Sequence, residues 1–323
     1  MKNIVVLVEH LRGEVRDISY EMLGKAQELA RATDRKVTAL VLGDPTEPIA
    51  SKVSDRCDNL LVYHGAQLKD FDAEAYQQVL GKFITAERPS LVLIAHSALG
   101  VDLAPALAVQ TGLPMISDVI EIVPDGKQFR FTRQMYSGKL NAELRLKSDS
   151  GIVTVRSSAF RPAAPAASAQ VKTVQWTLSG QLRRKFLGYE EAPSTGIDIT
   201  KASTIVAVGR GIRDQKNLPI VESFAKAIGA EIGCTRPIID AGWLPKERQI
   251  GNSGKTVKPK LYIGLGISGA FQHTIGIKGA ETIIAVNKDP AAPIFSVAHY
   301  GIVGDILKVV PALEAKIKEL KAA

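Results

Sequence analysis

The chain has 323 residues, more than one hydrophobic core usually supports, so its length predicts two domains. Apolar residues make up 46% of it and charged residues 23%, which excludes a disordered, collagenous or disulfide-scaffold chain. The net charge of +8 is spread along the sequence rather than concentrated on one stripe, and only 6% of the residues are aromatic and able to stack on bases, so we expect no nucleic-acid partner. The two cysteines, Cys57 and Cys234, lie too far apart for a zinc ribbon and indicate a reducing compartment.

Neither the start of the chain nor its most apolar stretch has the pattern of a membrane or export segment. The apolar run at 4–8 is too short for a signal peptide and is followed by Glu9. Residues 91–116 carry His96, Asp102 and two prolines, so they hold no run of about 20 apolar residues. We therefore expect no direct membrane insertion and a cytoplasmic location.

The first 115 residues alternate strand and helix patterns. Short branched apolar runs at 4–8, 37–42, 60–62 and 91–95 are typical of buried parallel strands. Apolar residues between 18 and 30 and between 76 and 84 recur at helical spacing. This succession predicts a doubly wound sheet with right-handed crossovers.

The pattern changes after residue 115. Alternating polar and apolar residues at 129–133, 142–146 and 151–155 predict antiparallel strands added to the sheet. The Ala- and Pro-rich residues 161–170 predict an exposed connector. A turn at 193–196 places the predicted boundary at Thr195, between a scaffold and partner-interface domain (1–194) and a second domain (195–323). We expect the second domain to move about hinges near Thr195.

The second half restarts the alternation. Strands are predicted at 204–208, 230–234, 261–263, 282–286 and 294–297, and helices at 219–228, 270–275 and from 304 to the end. The predicted fold class is therefore α/β with two domains. Each is expected to be a three-layer sandwich with a mostly parallel sheet, and the C-terminal domain is expected to be Rossmann-like.

A glycine motif marks the second half as the binding domain. Gly264, Gly266 and Gly269 form a G-x-G-x-x-G between a predicted strand and a predicted helix, where backbone N–H groups face an anion such as a pyrophosphate. Ser268 adds a hydroxyl donor to this turn. Asn287, about 20 residues on, stands where a NAD fold usually has an acidic residue. That departure counts against a simple NAD enzyme, although a NAD-dependent oxidoreductase domain and a flavin-free nucleotide-binding regulator stay open as alternatives.

A second glycine-rich loop, 251–256, resembles the end of a P-loop. Gln249 stands where its first glycine is required, so the P-loop match fails. Arg210 and Arg236 each follow a predicted strand and are expected at the ligand-binding edge of the sheet. The histidines have no metal-ligand spacing, and no iron–sulfur cysteine motif occurs in the sequence, so no metal site is expected.

The residues of the second half resemble the electron transfer flavoprotein alpha-subunit family. The run 261–276, continued at 284–290, is similar to that family's signature, and 208–211, 240–243, 249–251 and 300–305 stand where the family has them. Gly264, Phe271 and the pair Asn252-Ser253 depart from the usual residues, but Ser253 keeps a hydroxyl.

The resemblance implies an FAD held by the C-terminal domain. The residues that it implies around the FAD are Arg210, Thr235, Arg236, Ile250, Gly251, Asn252, Ser253, Gly266, Ile267, Ser268, Gly269, Ala270, Phe271, His273, Asn287, Asp305 and Ile306. Three of them would tune the flavin. Ser253 would donate to N5, His273 would approach the O2 edge, and Arg236 would lie against the isoalloxazine and stabilise negative charge on the reduced ring.

The resemblance also implies an electron carrier rather than an enzyme. Its partners would be an electron transfer flavoprotein beta subunit in a heterodimer, acyl-CoA or related dehydrogenases as electron donors, and a quinone oxidoreductase as acceptor. A bifurcating relative that oxidises NADH with a second FAD in the beta subunit is the alternative within the family.

Overall fold

Two separate sheets organise the chain, one in each of the units Met1–Gly188 and Tyr189–Ala323. The computed structural model describes residues 3–136, 138–166, 168–189 and 198–322. The predicted boundary and hinge at Thr195 lie outside the described residues, so both stay predictions.

The described part of the first unit contains nine strands that form one sheet and four α-helices. The strands are β1 (Ile4–Leu7), β4 (Val37–Gly43), β5 (Asn59–His64), β6 (Leu91–Ala95), β7 (Met115–Asp125), β8 (Gln128–Met135), β9 (Leu140–Arg145), β10 (Ile152–Val155) and β11 (Gln170–Gln175), with a small hairpin of β2 (His10–Leu11) and β3 (Glu14–Val15). The helices are α1 (Asp17–Thr33), α2 (Glu47–Val53), α3 (Ala73–Glu87) and α4 (Ala98–Thr111). The sheet order is β11-β5-β4-β1-β6-β10-β7-β8-β9, and an apolar core lies on each face.

One prediction for this unit is wrong. The strand at 151–155 is not antiparallel, since β10 lies between β6 and β7 and pairs parallel with both. Its four residues are all buried, as expected of a central parallel strand.

The predicted connector at 161–170 is exposed at most of its described residues. It is tied to the first unit at Ala163, whose amide donates to the Tyr20 carbonyl (2.8 Å), and the chain continues into β11, parallel to β5.

In its described residues, 189 and 198–322, the second unit has five strands and four α-helices. The strands are β12 (Thr204–Val208), β13 (Glu231–Cys234), β14 (Leu261–Leu265), β15 (Thr282–Asn287) and β16 (Tyr300–Val303), and the helices are α5 (Leu218–Ile228), α6 (Arg236–Asp240), α7 (Phe271–Thr274) and α8 (Ile306–Ala322). All strand pairs are parallel, in the order β13-β12-β14-β15-β16. Cores on both faces complete three layers. The structure confirms the predicted α/β class with mostly parallel sheets in both halves.

The predicted fifth strand at 294–297 is wrong. Pro293–Ser296 forms a 3-10 turn, and the fifth strand is β16. Pro293 has a fixed φ and no N–H to give to a sheet, and Ile294 is buried in the core instead of pairing along an edge. Among the described residues, no helix is both long and apolar enough to cross a bilayer.

Candidate functional site

A cavity of about 660 Å³ opens at the carboxyl edge of the second sheet. It lies at the ends of β12 and β14, the neighbouring strands from which the chain winds to opposite sides, where open α/β sheets bind ligands. The predicted residues that line it are Arg210, Thr235, Arg236, Ile250, Gly251, Asn252, Ser253, Gly266, Ile267, Ser268, Ala270, His273 and Asn287. Sequence reasoning missed further lining residues, namely Gly209, Gly211, Pro237, Gln249, Gln272, Asp289, Ala292 and Pro293.

The floor of the cavity depends on a close crossing of two glycine loops. The Gly211 amide donates to the Gly266 carbonyl (2.9 Å). A Cβ on Gly211 would lie 2.5 Å from the Gly266 Cα, and a Cβ on Gly266 would lie 2.7 Å from the Gly211 Cα. Gly266 also has φ +62°, a conformation that side chains disfavour. Only glycine at both positions lets the loops after β12 and β14 meet in this way.

The G-x-G-x-x-G motif forms its turn differently from the sequence-based prediction. Gly264 lies inside β14, so only the residues from Gly266 onward form the turn. The helix that follows, α7, has four residues, too few for the expected helix N-terminal anion site. Gly269 does not line the cavity, because it packs against the backbone of Ile294, where a Cβ would lie 2.1 Å from the amide nitrogen.

Asn287 holds the edge of the cavity together. Its Nδ2 donates to the Ile267 carbonyl (2.8 Å), and its Oδ1 accepts from the Asp289 amide (3.0 Å). The side chain thus fixes the loop after β14 to the loop after β15. Each bond uses one of the two hydrogen-bonding sites of the nitrogen or the oxygen, so the side chain keeps one donor and one acceptor site beside the cavity that it lines.

The loop 249–255 forms one wall of the cavity. Gln249 is buried and donates from Nε2 to the Ser253 Oγ (2.8 Å), which fixes the position of that hydroxyl. The Asn252 amide donates to the Gln272 carbonyl (2.6 Å), and a Cβ on Gly254 would lie 2.4 Å from the Gln249 carbonyl oxygen. Gln249, which breaks the P-loop pattern, is therefore part of the wall.

Two arginines and one threonine supply polar groups for a ligand. Arg236 is 68% exposed at the start of α6, with its Nε 3.4 Å from Asp240. Arg210 is exposed at the rim and makes no ion pair within the part of the chain that the structure describes. Thr235 is 8% exposed, and its Oγ1 is buried with no hydrogen-bond partner among the described residues. A buried hydroxyl without a hydrogen-bond partner costs free energy, unless a ligand in the cavity provides that partner.

His273 also lines the cavity, but both of its ring nitrogens are occupied. Nδ1 lies 3.0 Å from the Ile250 carbonyl, and Nε2 lies 2.6 Å from the Tyr262 hydroxyl. Burial lowers the pKa of His273 to about 4, so the ring is neutral at pH 7. As placed, the ring has no free N–H for a ligand.

Three further residues that the resemblance implied do not line the cavity: Phe271, Asp305 and Ile306. Asp305 caps α8, accepting from the Leu307 amide (3.1 Å), and pairs with Arg213 (2.6 Å). These contacts hold the pKa of Asp305 below its usual value. Ile306 is the first residue of α8 and is 5% exposed in the core of the second unit.

The equivalent edge of the first unit is closed. The turning point of that sheet lies between β1 and β6, and there the Ser97 hydroxyl donates to the Glu9 carboxylate. The remaining space is about 20 Å³, too small for a nucleotide. Burial raises the pKa of Glu9. In the described residues, no group of three or more His, Cys, Asp or Glu side chains is placed to hold a metal ion.

Comparisons with known proteins agree across both units. The electron transfer flavoprotein domain matches residues 4–180, and the electron transfer flavoprotein FAD-binding domain matches residues 198–278. The electron transfer flavoprotein subunit alpha of Methylophilus methylotrophus is 39% identical, covering 98% of this chain and 99% of its own length. The electron transfer flavoprotein subunit alpha of Bacillus subtilis is 33% identical, covering 99% of this chain and 98% of its own length. The lactate dehydrogenase (NAD(+),ferredoxin) subunit LctC of Acetobacterium woodii is 36% identical, covering 98% of this chain and 77% of its own length.

The doubly wound second unit, with its glycine crossing and its crevice at the turning point of the sheet, defines a nucleotide-binding protein. The matches are more specific, since they span both units and most of the chain. The chain belongs to the electron transfer flavoprotein alpha-subunit family. Its second unit is the family's flavin-binding domain, and the members of the family are electron carriers.

We expect acid to destabilise the second unit through His273. Because the folded-state pKa of about 4 lies below the ordinary value of 6.5, the unfolded chain binds the proton more tightly. The contribution of neutral His273 to the free energy of unfolding is complete above about pH 6.5. It falls by up to about 3 kcal/mol as the pH approaches 4. Urea unfolding of flavin-free protein at several pH values measures this, with Trp243, which packs on the core of this unit, as reporter in a Trp176→Phe background. His273→Asn should flatten the pH dependence of the free energy of unfolding between pH 6.5 and 4. An unchanged slope in this variant would contradict the assignment of that dependence to His273.

Proposed function

We propose that the cavity of the second unit holds FAD and that the chain is the FAD-carrying subunit of an electron carrier. The observation that carries this proposal is the cavity at the β12–β14 turning point, which gathers residues from three glycine-rich loops around one space. A volume of about 660 Å³ is within the usual range for a cofactor site. The family match to an FAD-binding domain over residues 198–278 supports the choice of ligand.

The donor set fits a dinucleotide with a flavin ring. The turn that follows Gly266 places the exposed residues Ser268 and Ala270 in the cavity wall, where a pyrophosphate can bind, and the cation of Arg210, which has no ion pair among the described residues, lies at the same rim. The buried Thr235 hydroxyl, which has no partner in the described chain, provides a hydrogen-bonding group for the ligand. Together these groups complement phosphate charge at one end and a polar heterocycle at the other.

The residues of this chain set how easily the cofactor gains charge. A bound FAD would supply the redox chemistry of the carrier. Arg236 places a guanidinium at the cavity wall, and its charge favours additional negative charge on the ring. Gln249 holds the Ser253 hydroxyl at 2.8 Å, so that the hydroxyl is positioned before the ligand arrives.

We further propose that the chain works in the cytoplasm as one half of a heterodimer with an electron transfer flavoprotein beta subunit. The first unit supports this, because its own crevice is closed by Glu9 and Ser97 and its faces are left for scaffold and interface roles. The relatives named subunit alpha support it as well. Acyl-CoA or related dehydrogenases are the proposed donors, and a quinone oxidoreductase is the proposed acceptor.

A bifurcating carrier is the second candidate. It is favoured by the 36% identity to the Acetobacterium woodii subunit, whose name includes both NAD(+) and ferredoxin. A NAD-dependent oxidoreductase domain is less well supported, because Asn287 stands where a NAD fold usually has an acidic residue.

The proposal predicts that this chain and a beta subunit co-purify with flavin, whereas the chain alone is poorly behaved. Mixing the complex with a reduced acyl-CoA dehydrogenase under anaerobic conditions should bleach its flavin band, and adding NADH should not. Bleaching by NADH would favour the bifurcating candidate. A monodisperse, FAD-loaded chain without a beta subunit would contradict the heterodimer, and a complex without flavin bands would contradict the proposed function itself.

A further inference from the structure

The side chain of Gln249 is bonded to a hydroxyl that lines the cavity. Gln249 is buried in the wall of the second unit's cavity, whereas Ser253 is exposed at the same wall. The Nε2 of Gln249 donates to the Oγ of Ser253 at 2.8 Å. Within the described parts of the chain, Gln249 is the only hydrogen-bond partner of the Ser253 side chain.

This bond determines how the Ser253 hydroxyl can act on a ligand. A hydroxyl has one proton and two lone pairs, and the nitrogen of a side-chain amide can only donate. The bond from Gln249 therefore occupies one lone pair of Oγ and leaves the hydroxyl proton for another acceptor. If an acceptor faced Oγ instead, it would take that proton, and only lone pairs would remain for a ligand in the cavity.

The backbone brings Gln249 and Ser253 together by folding the loop back on itself. The Lys255 amide donates to the Gln249 carbonyl (2.7 Å), and the Gly254 amide donates to the Gly251 carbonyl (2.9 Å). A Cβ on Gly254 would lie 2.4 Å from the Gln249 carbonyl oxygen and 3.0 Å from its Cγ, so only glycine allows this approach. The Gln249 side chain is thus held beside the hydroxyl by the loop itself, without a ligand.

We propose that Gln249 is a positioning residue of the flavin site, which directs the Ser253 proton into the cavity and so makes that hydroxyl a donor to the flavin. The inference rests on the proposed function and adds a residue that acts through another. A hydrogen bond donated to an atom of the ring favours negative charge on it. The direction of this one proton therefore affects both the affinity for FAD and the flavin potential.

The first test needs no cofactor. Nitrogen-15 NMR of flavin-free protein reports on the side-chain amide of Gln249, whose resonance is identified by its loss in Gln249→Met. We expect a nuclear Overhauser effect between the Nε2 protons and the Ser253 β-protons, and slow solvent exchange of one Nε2 proton. Ser253→Ala should make that exchange fast. Absence of the nuclear Overhauser effect in the unmodified protein, or unchanged exchange in Ser253→Ala, would overturn the proposal.

The second test is a double-mutant cycle on FAD affinity in the complex with the beta subunit. Gln249→Met keeps a side chain of similar length but has no donor, and it should weaken FAD binding roughly fivefold. Ser253→Ala should have a similar effect, and the double variant should bind FAD as well as Ser253→Ala does. If Gln249→Met weakened binding just as much in the Ser253→Ala background, Gln249 would act on the cofactor directly and the proposal would be wrong.

Gln249→Glu tests the direction of the bond. An ionised carboxylate can only accept, so it would take the Ser253 proton away from the cavity. We expect a larger loss of FAD affinity than in Gln249→Met, roughly twentyfold, and a lower flavin potential. The same substitution in the Ser253→Ala background reports the effect of the added charge alone. Unchanged FAD affinity in Gln249→Glu would overturn the proposal, because the native amide would then present its oxygen to Ser253.

Gln27→Met in the first unit is the matched control for these variants. The Nε2 of Gln27 donates to the Arg56 carbonyl (3.0 Å), and Gln27 does not line the cavity. This variant should leave the FAD affinity and the flavin potential unchanged. Equal loss of affinity in Gln27→Met and Gln249→Met would contradict the positioning role, whereas failure of the unmodified complex to bind FAD would count against the proposed function.

Discussion

Gly266→Ala should weaken FAD binding strongly while leaving the first unit folded. A side chain at φ +62° costs about 1 kcal/mol, and its Cβ would lie 2.7 Å from the Cα of Gly211. That contact is between two backbones, so no side chain can rotate to relieve it, and the loops after β12 and β14 must separate. A combined cost of about 3 kcal/mol in the site corresponds to a loss of roughly a hundredfold in affinity. Fluorescence titration of flavin-free protein with FAD measures the change.

Gly229→Ala is the matched control for this substitution. Gly229 has φ +68° at the end of α5, and no atom lies within 4 Å of the place where its Cβ would stand. This variant carries the same backbone strain without the contact and lies outside the residues that line the cavity. It should be slightly less stable and bind FAD normally. Equal loss of FAD in both variants would mean that general instability, and not the glycine crossing, explains the result.

Arg236→Ala should lower the reduction potential of the flavin. The guanidinium lines the cavity and is 68% exposed, so its charge acts on the ring but is partly screened by water. We expect a fall on the order of 30–60 mV, where 59 mV is a tenfold change for one electron. Arg236→Lys should restore only part of the potential, because an ammonium does not stack on a ring as a planar guanidinium does. Spectroelectrochemical titration at low ionic strength gives the values.

Two neighbouring charges serve as controls for Arg236. Asp240→Asn removes the carboxylate 3.4 Å from the Arg236 Nε and should raise the potential. Lys246→Ala removes an exposed cation that does not line the cavity and should leave the potential unchanged. If Arg236→Ala and Lys246→Ala shifted the flavin potential equally, the shift would come from the net charge of the protein and not from the position of Arg236 at the cavity.

Local patterns in the sequence were enough to predict the position of the cavity. Parallel strands bring their carboxyl ends to one edge, so residues that follow a strand, such as Arg210, Thr235 and Ile267, are expected to meet there. The Gly266 turn was predictable for the same reason. Asp305 was expected at the site from the resemblance alone, and an Asp directly before a helix is also a standard N-cap signal, which the structure uses as one.

Contacts between distant parts of the chain were not predictable from local patterns. The position of β10 between β6 and β7 depends on where a long excursion returns to the sheet, which the strand itself does not encode. The run at 294–297 is short and apolar, and such a run fits a strand or a buried turn equally well. Tyr262 has no local signature either, because its partner His273 becomes a neighbour only when the sheet forms.

The central claim is that FAD lies in the cavity of the second unit, and hydrogen exchange with mass spectrometry tests it most directly. The complex with the beta subunit would be compared with and without FAD, peptide by peptide. The structure predicts that FAD slows exchange at the loops 209–213, 250–254 and 266–273, which line or brace the cavity. Exchange around Glu9 and Ser97, at the closed edge of the first sheet, should not change. Protection at that edge of the first unit, or no protection in the three loops of the second, would contradict the account.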